Sequence, residues 1–159
     1  MCSNNPPEAP PSPLRSRIMS SIRSKDTGPE MAVRRHLHAV GLRFRLHRAG
    51  MPGRPDLVLP RHRAVVFVHG CFWHGHDGCY RPPRTRAQWW ADKIARNRAR
   101  DVAAETALAG AGWRVFVVWE CSLRRSERDR TLSALVAGIR GCRGSGPKTL
   151  HLHGSSDIA

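Results

Sequence analysis

The sequence predicts a mixed α/β domain in which a central β-sheet is flanked by helices. Short runs of alternating or β-branched residues indicate strands, most clearly at residues 42–46 and 64–69. A continuous apolar run at residues 113–119 (WRVFVVW) is typical of a strand buried on both faces. Amphipathic segments lie around these runs, so the expected order is helix, three strands, helix, strand, helix.

Length and charge restrict the class of protein. At 159 residues the chain fits one domain with a normal core. Its formal net charge is +15, and nearly all the cations are Arg, which pairs with phosphate in a fork and stacks on bases. Nucleic acid is therefore the leading partner, and a solvated basic surface in an Arg-rich proteome is the alternative.

Cysteine usage and hydropathy bear on the compartment. Five Cys residues without an apolar signal segment favour a reducing cytosol, and an odd count fits a complete disulfide framework poorly. No run approaches about 20 apolar residues, so we expect no membrane span.

The N-terminal residues contain no strong core pattern. Residues 1–13 are rich in Pro, Ser and Asn without periodicity and predict a disordered leader. Residues 14–23 form a basic segment whose apolar side chains, Ile18, Met19 and Ile22, share one helical face. Such side chains normally belong to a core, but in a basic arm the alternative is a wedge that enters DNA.

The first helix has recognisable ends. Thr27 fits the N-cap position and Glu30 its capping-box partner, with Pro29 in the permissive first turn. Gly41 is a good C-terminal stop. The predicted buried stripe consists of Val33, Leu37 and Val40.

Two short strands follow a Gly/Pro loop at residues 47–55. Residues 56–59 and 64–69 are joined around residues 60–62. Pairing as a hairpin would bring the start of the first strand and the end of the second to one edge of the sheet. Asp56 would then lie close to Val68 and His69, so a carboxylate and an imidazole would meet.

The second half of the chain contains a long helix and a final one. Thr85 is the expected cap of a helix ending near Gly110, in which Asn97, Asp101 and Glu105 interrupt an apolar stripe. These three polar residues are interpreted as the solvated end of the stripe, with a functional role as the alternative. Leu132, Leu135, Val136 and Ile139 predict a last helix stopped by Gly141. We expect residues 142–159 to form a flexible tail, which leaves one domain at residues 14–141.

The segment after the third strand predicts a metal centre. Cys71, His76 and Cys79 have the tight spacing of zinc ligands, and Cys121 returns from the end of a later strand to complete a closed Cys₃His set. Ordinary buried thiols are the alternative, and His74 could replace His76.

A second set of residues suggests phosphodiester chemistry. Asp56 is a hard oxygen ligand suited to Mg²⁺, and a neutral imidazole from His69 or His74 could take a proton from the attacking water. Glu30 completes the set. Taken singly, Glu30 fits a capping box alone and Asp56 fits a carboxylate that satisfies turn amides.

The same loop carries Phe72 and Trp73, which we expect to be exposed. A Gly-rich polar loop offers little shelter to two large rings, whereas exposed rings present flat faces to bases. The pair therefore predicts a working surface.

Several ordered motifs resemble those of the very short patch repair (Vsr) endonucleases. The resemblance extends over about residues 15–125 and implies a restriction-endonuclease-like α/β core. It also implies an enzyme that nicks one strand of DNA immediately 5′ of the T in a T:G mismatch, the product of 5-methylcytosine deamination. The motifs are Asp26-Thr27, Pro52-Gly53-Arg54-Pro55-Asp56, His69-Gly70-Cys71-Phe72-Trp73-His74, Trp90-x₂-Lys93-Ile94-x₂-Asn97 and Val118-Trp119-Glu120-Cys121.

The resemblance also implies roles for individual residues. Asp56 would be the Mg²⁺ ligand, helped by the main-chain carbonyl of Val68, and His74 the general base, with Glu30 positioning it or its water. His69 would lie near the scissile phosphate and Asp101 would support the water network. The implied structural zinc ligands are Cys71, His76, Cys79 and Cys121. Phe72 and Trp73 resemble the aromatic wedge that enters the base stack, and Met19 resembles a residue inserted from the opposite groove.

The expected partner is double-stranded DNA with a T:G mismatch, bound by a monomer on the bacterial nucleoid in the cytoplasm. Mismatch-repair proteins and a cytosine methyltransferase are candidate protein partners. One rival is a non-catalytic zinc-stabilised binder of distorted DNA, which would have no need of Asp56 beside two His residues. The other is a restriction-type endonuclease on matched DNA, which would have no use for an intercalating Phe72-Trp73 pair.

Overall fold

The computed structural model describes residues 25–141 and 149–153. The predicted leader and the whole basic segment at residues 14–23, with Met19, lie outside these residues. Short 3₁₀ turns, Pro60–His62 and Glu120–Leu123, follow the second and fourth strands. The helices and strands in chain order are α1 (Gly28–Ala39), β1 (Arg45–Leu46), β2 (Leu57–Leu59), β3 (Ala64–His69), α2 (Ala87–Gly110), β4 (Arg114–Trp119), α3 (Arg128–Arg140) and β5 (Thr149–Leu152).

The strands form one mixed sheet in the order β1-β2-β3-β4-β5. The β1–β2 and β2–β3 pairs are antiparallel, whereas β3–β4 and β4–β5 are parallel. Leu57 pairs with Val66, so the residue before β2 lies beside the end of β3. His69 pairs with Trp119, so β3 and β4 end at this same edge. The predicted hairpin and the mixed α/β class are confirmed.

Alternation along the strands divides the core into two faces. Helices α1 and α3 cover one face and α2 covers the other, because successive side chains of each strand point to opposite sides. The α1/α3 side includes Val33, Leu37, Leu57, Leu59, Val66, Phe116, Val118, Leu132, Leu135 and Ile139. The α2 side includes Val58, Val65, Phe67, Leu108, Val115, Val117 and Trp119.

The ends of α1 agree with the sequence, and the start of α2 does not. Thr27 Oγ1 accepts the amide N–H of Glu30 at 3.4 Å, and Gly41 adopts a φ of +81° just after α1. The N-cap of α2 is Arg86, with a φ of +54°, rather than Thr85. The chain enters α2 through this left-handed residue, so Thr85 lies one residue too early to cap it.

Two strand predictions needed correction. Of the predicted strand at residues 42–46, only Arg45–Leu46 pairs in the sheet, because the amide of Leu42 donates to the carbonyl of Leu37 at 2.9 Å as part of the α1 C-cap. Within the predicted flexible tail, Thr149–Leu152 forms β5 instead. Leu150 and Leu152 pack on the α1/α3 side of the core, which holds this segment against β4.

No helix in the described ranges combines the length and apolar character that a bilayer crossing requires. The candidate functional residues lie at the edge of the sheet where Asp56, the ends of β3 and β4, and the loop at residues 70–80 are close together.

Candidate catalytic cleft and metal centre

A cleft of about 590 Å³ opens at the edge of the sheet where β3 and β4 end. The antiparallel β2–β3 pair brings Asp56 to this edge, and the loop after β3 adds His74. Helix α2 forms the opposite wall with Asp101. The cleft therefore unites residues that the sequence predicted to act together: Glu30, Asp56, Val68, His69, Trp73, His74 and Asp101.

The carboxylate of Asp56 is held beside β3. Its Oδ2 accepts the amide N–H of Val68 at 2.7 Å, and its Oδ1 lies 3.9 Å from Nδ1 of His47. Burial, and then the nearby charge of Glu30, raise the pKa of Asp56, although the Val68 hydrogen bond opposes the shift. A partly desolvated carboxylate next to another carboxylate is stabilised in its charged form by a cation, and carboxylate and carbonyl oxygens are the ligands that Mg²⁺ prefers.

His74 is paired with a carboxylate on α2. Its Nδ1 lies 2.6 Å from Oδ2 of Asp101, and both side chains are about a quarter exposed. A carboxylate at Nδ1 holds the proton on that nitrogen, so Nε2 keeps its lone pair. The pair therefore has the arrangement of a general base and the carboxylate that orients it.

His69 is almost fully buried, with 5% of its surface exposed. Its ring stacks on that of His74 with centroids 3.8 Å apart and an angle of 4°, and it meets Trp119 edge-on at 5.3 Å. Burial, followed by the proximity of His74, lowers the pKa of His69 to about 3. His69 is therefore a neutral imidazole near pH 7, and together with His74 and Asp101 it forms a group whose ligand atoms are close enough to hold a metal ion.

Glu30 does not touch His74 directly. Its Oε2 accepts the amide N–H of Asp26 at 3.0 Å and Nη2 of Arg34 at 2.8 Å. Arg34 also pairs with Asp26 and lies 3.1 Å from Nε2 of His47. Glu30 lines the cleft, and the carboxylate that contacts His74 is that of Asp101. That Glu30 positions His74 or its water stays a prediction.

The predicted zinc ligands converge in a second cluster next to the cleft. One ligand atom from each of Cys71, His76, Cys79 and Cys121 lies within 4.8 Å of all the others. Nδ1 of His76 is 3.6 Å from Sγ of Cys71 and 3.4 Å from Sγ of Cys121. Tetrahedral bonds of zinc to sulfur and nitrogen place such atoms about 3.6 Å apart, so the geometry fits Zn²⁺. His76, not His74, belongs to this cluster.

The electrostatics of the thiols also fit a cation. Burial raises the pKa of the Cys71 thiol to about 12, and the neighbouring thiols Cys121 and Cys79 add to the shift. Burial likewise raises the pKa of the Cys79 thiol. Since only thiolates ligate metal, the three thiols would ionise together only with a positive ion among them.

Helix α2 fixes the loop that joins the two sites. Asn97 Nδ2 donates to the carbonyl of Trp73 at 2.8 Å, and Arg98 donates to the carbonyl of Gly75. With Asp101 on His74, residues from two successive turns of α2 hold the loop. The sequence interpretation of Asn97, Asp101 and Glu105 as a solvated end was therefore wrong: all three are partly buried, and Glu105 contacts His151 at 3.1 Å.

Sequence reasoning missed other residues that support the loop. Oε2 of Glu120 accepts the amide N–H of Cys71 at 3.3 Å, and Nδ1 of His153 lies 2.9 Å from Nε2 of His76. The position of Glu120 directly before the ligand Cys121 was an available signal. Nothing in the spacing of His153 could have found it, because β5 itself was not predicted.

Phe72 and Trp73 are partly buried rather than fully exposed. The ring of Phe72 lies 5.3 Å from that of Trp73 and 5.1 Å from that of Trp90, and Nζ of Lys93 lies 5.4 Å above Trp73. Side chains of helix α2 thus partly bury the two rings, which the loop alone would leave exposed. These rings form an aromatic group, of which Trp73 lines the cleft.

Comparisons with known proteins agree with this geometry. Residues 11–81 match the family model described as DNA mismatch endonuclease Vsr. The chain is 57% identical over 132 residues to the type II nicking enzyme V.XorIIP of Xanthomonas oryzae, covering 81% of this chain and 92% of that one. It is 45% identical over 116 residues to the DNA mismatch endonuclease Vsr of Escherichia coli, covering 72% and 74%. It is 42% identical over 130 residues to the type II nicking enzyme V.NmeAIP of Neisseria meningitidis, covering 79% and 91%. With this identity over most of both chains, and with the predicted catalytic residues gathered in one cleft, the chain belongs to the Vsr family of DNA mismatch endonucleases and is a DNA endonuclease.

Proposed function

We propose that this endonuclease nicks one strand of duplex DNA immediately 5′ of the T in a T:G mismatch, in a reaction that requires Mg²⁺. The observation that carries the proposal is the joint placement of Asp56, His69 and the His74–Asp101 pair in one cleft at the edge of the sheet. A carboxylate for a divalent cation next to an oriented imidazole base is the equipment of metal-assisted phosphodiester hydrolysis.

Asp56 and the main-chain carbonyl of Val68 would hold the cation. The fit rests on the raised pKa of Asp56 and on the neighbouring carboxylate of Glu30, which make a cation favourable at this place. When bound, Mg²⁺ would polarise the phosphate and lower the pKa of a coordinated water. The amide of Val68 fixes one oxygen of Asp56, and so orients the carboxylate.

The two imidazoles have separate roles in this proposal. His74 takes a proton at Nε2 from the attacking water, while Asp101 stabilises the imidazolium that forms. The water oxygen bonds to phosphorus as the bond from phosphorus to the 3′ oxygen breaks, which leaves a 5′-phosphate and a 3′ oxyanion. The oxyanion takes a proton from a solvent water to become the 3′-hydroxyl. His69, neutral at this pH, packs against His74 and orients it beside the phosphate.

The aromatic group supplies recognition. Trp73 lines the cleft and Phe72 packs against it, on a loop that α2 holds in place. A mispaired step is easier to unstack than a matched one, so a ring inserted there favours a T:G site before any base edge is read. Met19, which lies outside the described residues, is the proposed wedge from the opposite groove.

The Cys₃His cluster is proposed as a structural zinc site. Four protein ligands leave no open position, so the cluster serves folding rather than catalysis. Because Cys71 and His76 flank His74 in one loop, zinc bound there would fix the backbone that carries the general base.

A nicking assay that compares mismatched and fully paired duplexes tests the proposal. Three substrates of one sequence, carrying T:G, T:A or C:G at the central pair, are incubated with Mg²⁺ or with EDTA. We expect a single nick 5′ of the mismatched T, only in T:G and only with Mg²⁺. Equal nicking of the matched duplexes would favour the restriction-type rival, and tight T:G binding without a nick would favour the non-catalytic binder.

A further inference from the structure

The zinc ligand His76 makes a contact on the side away from the thiols. Its Nε2 lies 2.9 Å from Nδ1 of His153, which follows β5 directly. His76 is 5% exposed, so few other groups can reach that nitrogen. The two rings are nearly parallel, with centroids 5.1 Å apart and an angle of 13°.

We propose that His153 is a positioning residue of the metal centre: it accepts the Nε2–H of His76, holds that imidazole in its ligating form and ties the C-terminal strand β5 to the zinc loop. The proposal rests on the zinc centre proposed above and goes beyond it, because it assigns the residue after strand β5 a role in retaining the metal.

The tautomer of His76 supports this role. Nδ1 faces the thiols of Cys71 and Cys121, so its lone pair must be free and the ring proton must be on Nε2. A buried Nε2–H needs an acceptor, and Nδ1 of His153 is at hydrogen-bond distance. Imidazole ligands in metal sites generally donate their second N–H to such a partner, which fixes the ring and strengthens it as a ligand.

Stacking and hydrogen bonding divide the work of orienting the ring. Trp119 stacks on His76 with centroids 4.1 Å apart and an angle of 18°, which fixes the plane of the imidazole. Stacking alone does not choose which nitrogen carries the proton. The thiols on Nδ1 set the proton on Nε2, and the hydrogen bond from Nε2 to His153 fixes the rotation of the ring in its plane, so that Nδ1 stays directed toward the thiols.

The sheet register explains why the end of β5 arrives at this place. Leu152 pairs with Val118 in the parallel β4–β5 ladder, so the next residues, His153 and Trp119, lie side by side. Cys121 lies two residues after Trp119, in the 3₁₀ turn that follows β4. A four-residue edge strand has few hydrogen bonds of its own, so a link to a metal ligand would contribute to holding it.

His151 provides a matched control on the same strand. Its side chain points to the same side as His153, two residues earlier, but its Nε2 contacts Glu105 at 3.1 Å instead of a metal ligand. Replacing His151 therefore removes an imidazole of equal size that stacks on His153, with centroids 5.8 Å apart, and leaves both hydrogen-bonding groups of the His153–His76 contact unchanged.

Zinc release from the purified full-length protein tests the proposal. The protein is challenged with a chromogenic chelator, and the release rate is followed for wild type, His153→Leu, His153→Asn and His151→Leu. We expect about tenfold faster release from His153→Leu, the low end of the usual range of such partners because the His153 ring stays open to solvent. His153→Asn keeps an acceptor close to the position of Nδ1 and should release zinc within about twofold of wild type.

The outcomes separate this proposal from the zinc centre itself. Wild-type protein that holds no zinc would remove the metal centre and this inference together. Zinc-loaded wild type with unchanged release from His153→Leu would remove only the role of His153. Equal acceleration by His151→Leu would show that docking of β5, and not this hydrogen bond, retains the metal, and would also overturn the proposal.

Amide hydrogen exchange gives a second readout that does not depend on release rates. If His153 ties β5 to the metal centre, removing zinc should speed exchange at residues 149–152 in wild type. In His153→Leu the same amides should already exchange faster with zinc bound. Unchanged protection of β5 after zinc removal would contradict the proposed link.

Discussion

Replacing Asp101 with Asn should disable the general base without disturbing the fold of the cleft. Asp101 Oδ2 lies 2.6 Å from Nδ1 of His74, and the two side chains are about a quarter exposed, so the substitution needs no new space. The Asn amide would donate to Nδ1 and shift the ring proton to Nε2. His74 would then present an N–H, and not a lone pair, to the attacking water.

The expected loss follows from what a positioned base contributes. General-base catalysis typically accelerates a reaction by about 10²- to 10⁴-fold, and Asn leaves the base in the wrong tautomer. We therefore expect single-turnover nicking by Asp101→Asn to fall by about 10²- to 10⁴-fold, or about 2.7–5.5 kcal/mol of barrier. Binding should change little, because the side chain faces His74 and not the DNA backbone.

The assay uses saturating enzyme on a labelled T:G duplex with Mg²⁺, with binding measured separately in EDTA. Asp92→Asn is the matched control, because it removes one negative charge from the same helix at an exposed site, where Oδ1 of Asp92 accepts from Nε2 of Gln88 at 2.9 Å. Nicking by Asp101→Asn within a few-fold of the Asp92→Asn rate would refute the assigned role of the pair.

Three other substitutions test separate parts of the structure. Cys121→Ser should lose zinc and have a lower melting temperature, because the free energy of metal binding also stabilises the fold. Elemental analysis and a thermal scan measure the two effects, and full zinc content in the variant would count against the cluster. Trp73→Ala should weaken T:G binding by about 5- to 150-fold and matched binding less, measured by gel shift; an unchanged preference for T:G would argue against the wedge. Gly75→Ala should cost about 1–3 kcal/mol in urea unfolding, because Gly75 has a φ of +60° and an added Cβ would lie 2.5 Å from Cγ2 of Ile94. Gly110→Ala, where nothing lies within 4 Å, is its control and should not destabilise.

The hairpin and the metal cluster could be predicted because their signals are local. Two short apolar runs, residues 57–59 and 64–69, lie on either side of a three-residue connection and indicate the hairpin, and its pairing brings Asp56 to the end of β3. The spacing of Cys71, His76 and Cys79 likewise confines three ligands to a short loop, and only Cys121 required knowledge of where β4 ends.

Contacts between distant elements were harder to predict. The helical stripe containing Asp101 was visible, but a stripe does not say what lies opposite it, so a carboxylate that orients His74 was interpreted as solvated. The partial burial of Phe72 had the same origin, because its shelter comes from Trp90 on α2. Strand β5 escaped notice because four residues in a Gly- and His-rich segment are too few to show a period.

The central claim is that the cleft around Asp56 hydrolyses one strand of mismatched DNA. The most direct test maps the nick on a T:G duplex at single-nucleotide resolution for wild type and Asp56→Ala, with binding measured in parallel. We expect wild type to cut only 5′ of the mismatched T, leaving a 5′-phosphate, and Asp56→Ala to bind T:G normally without cutting, since affinity comes mainly from phosphate contacts and the wedge. Near-normal cutting by Asp56→Ala in Mg²⁺ would contradict the claim.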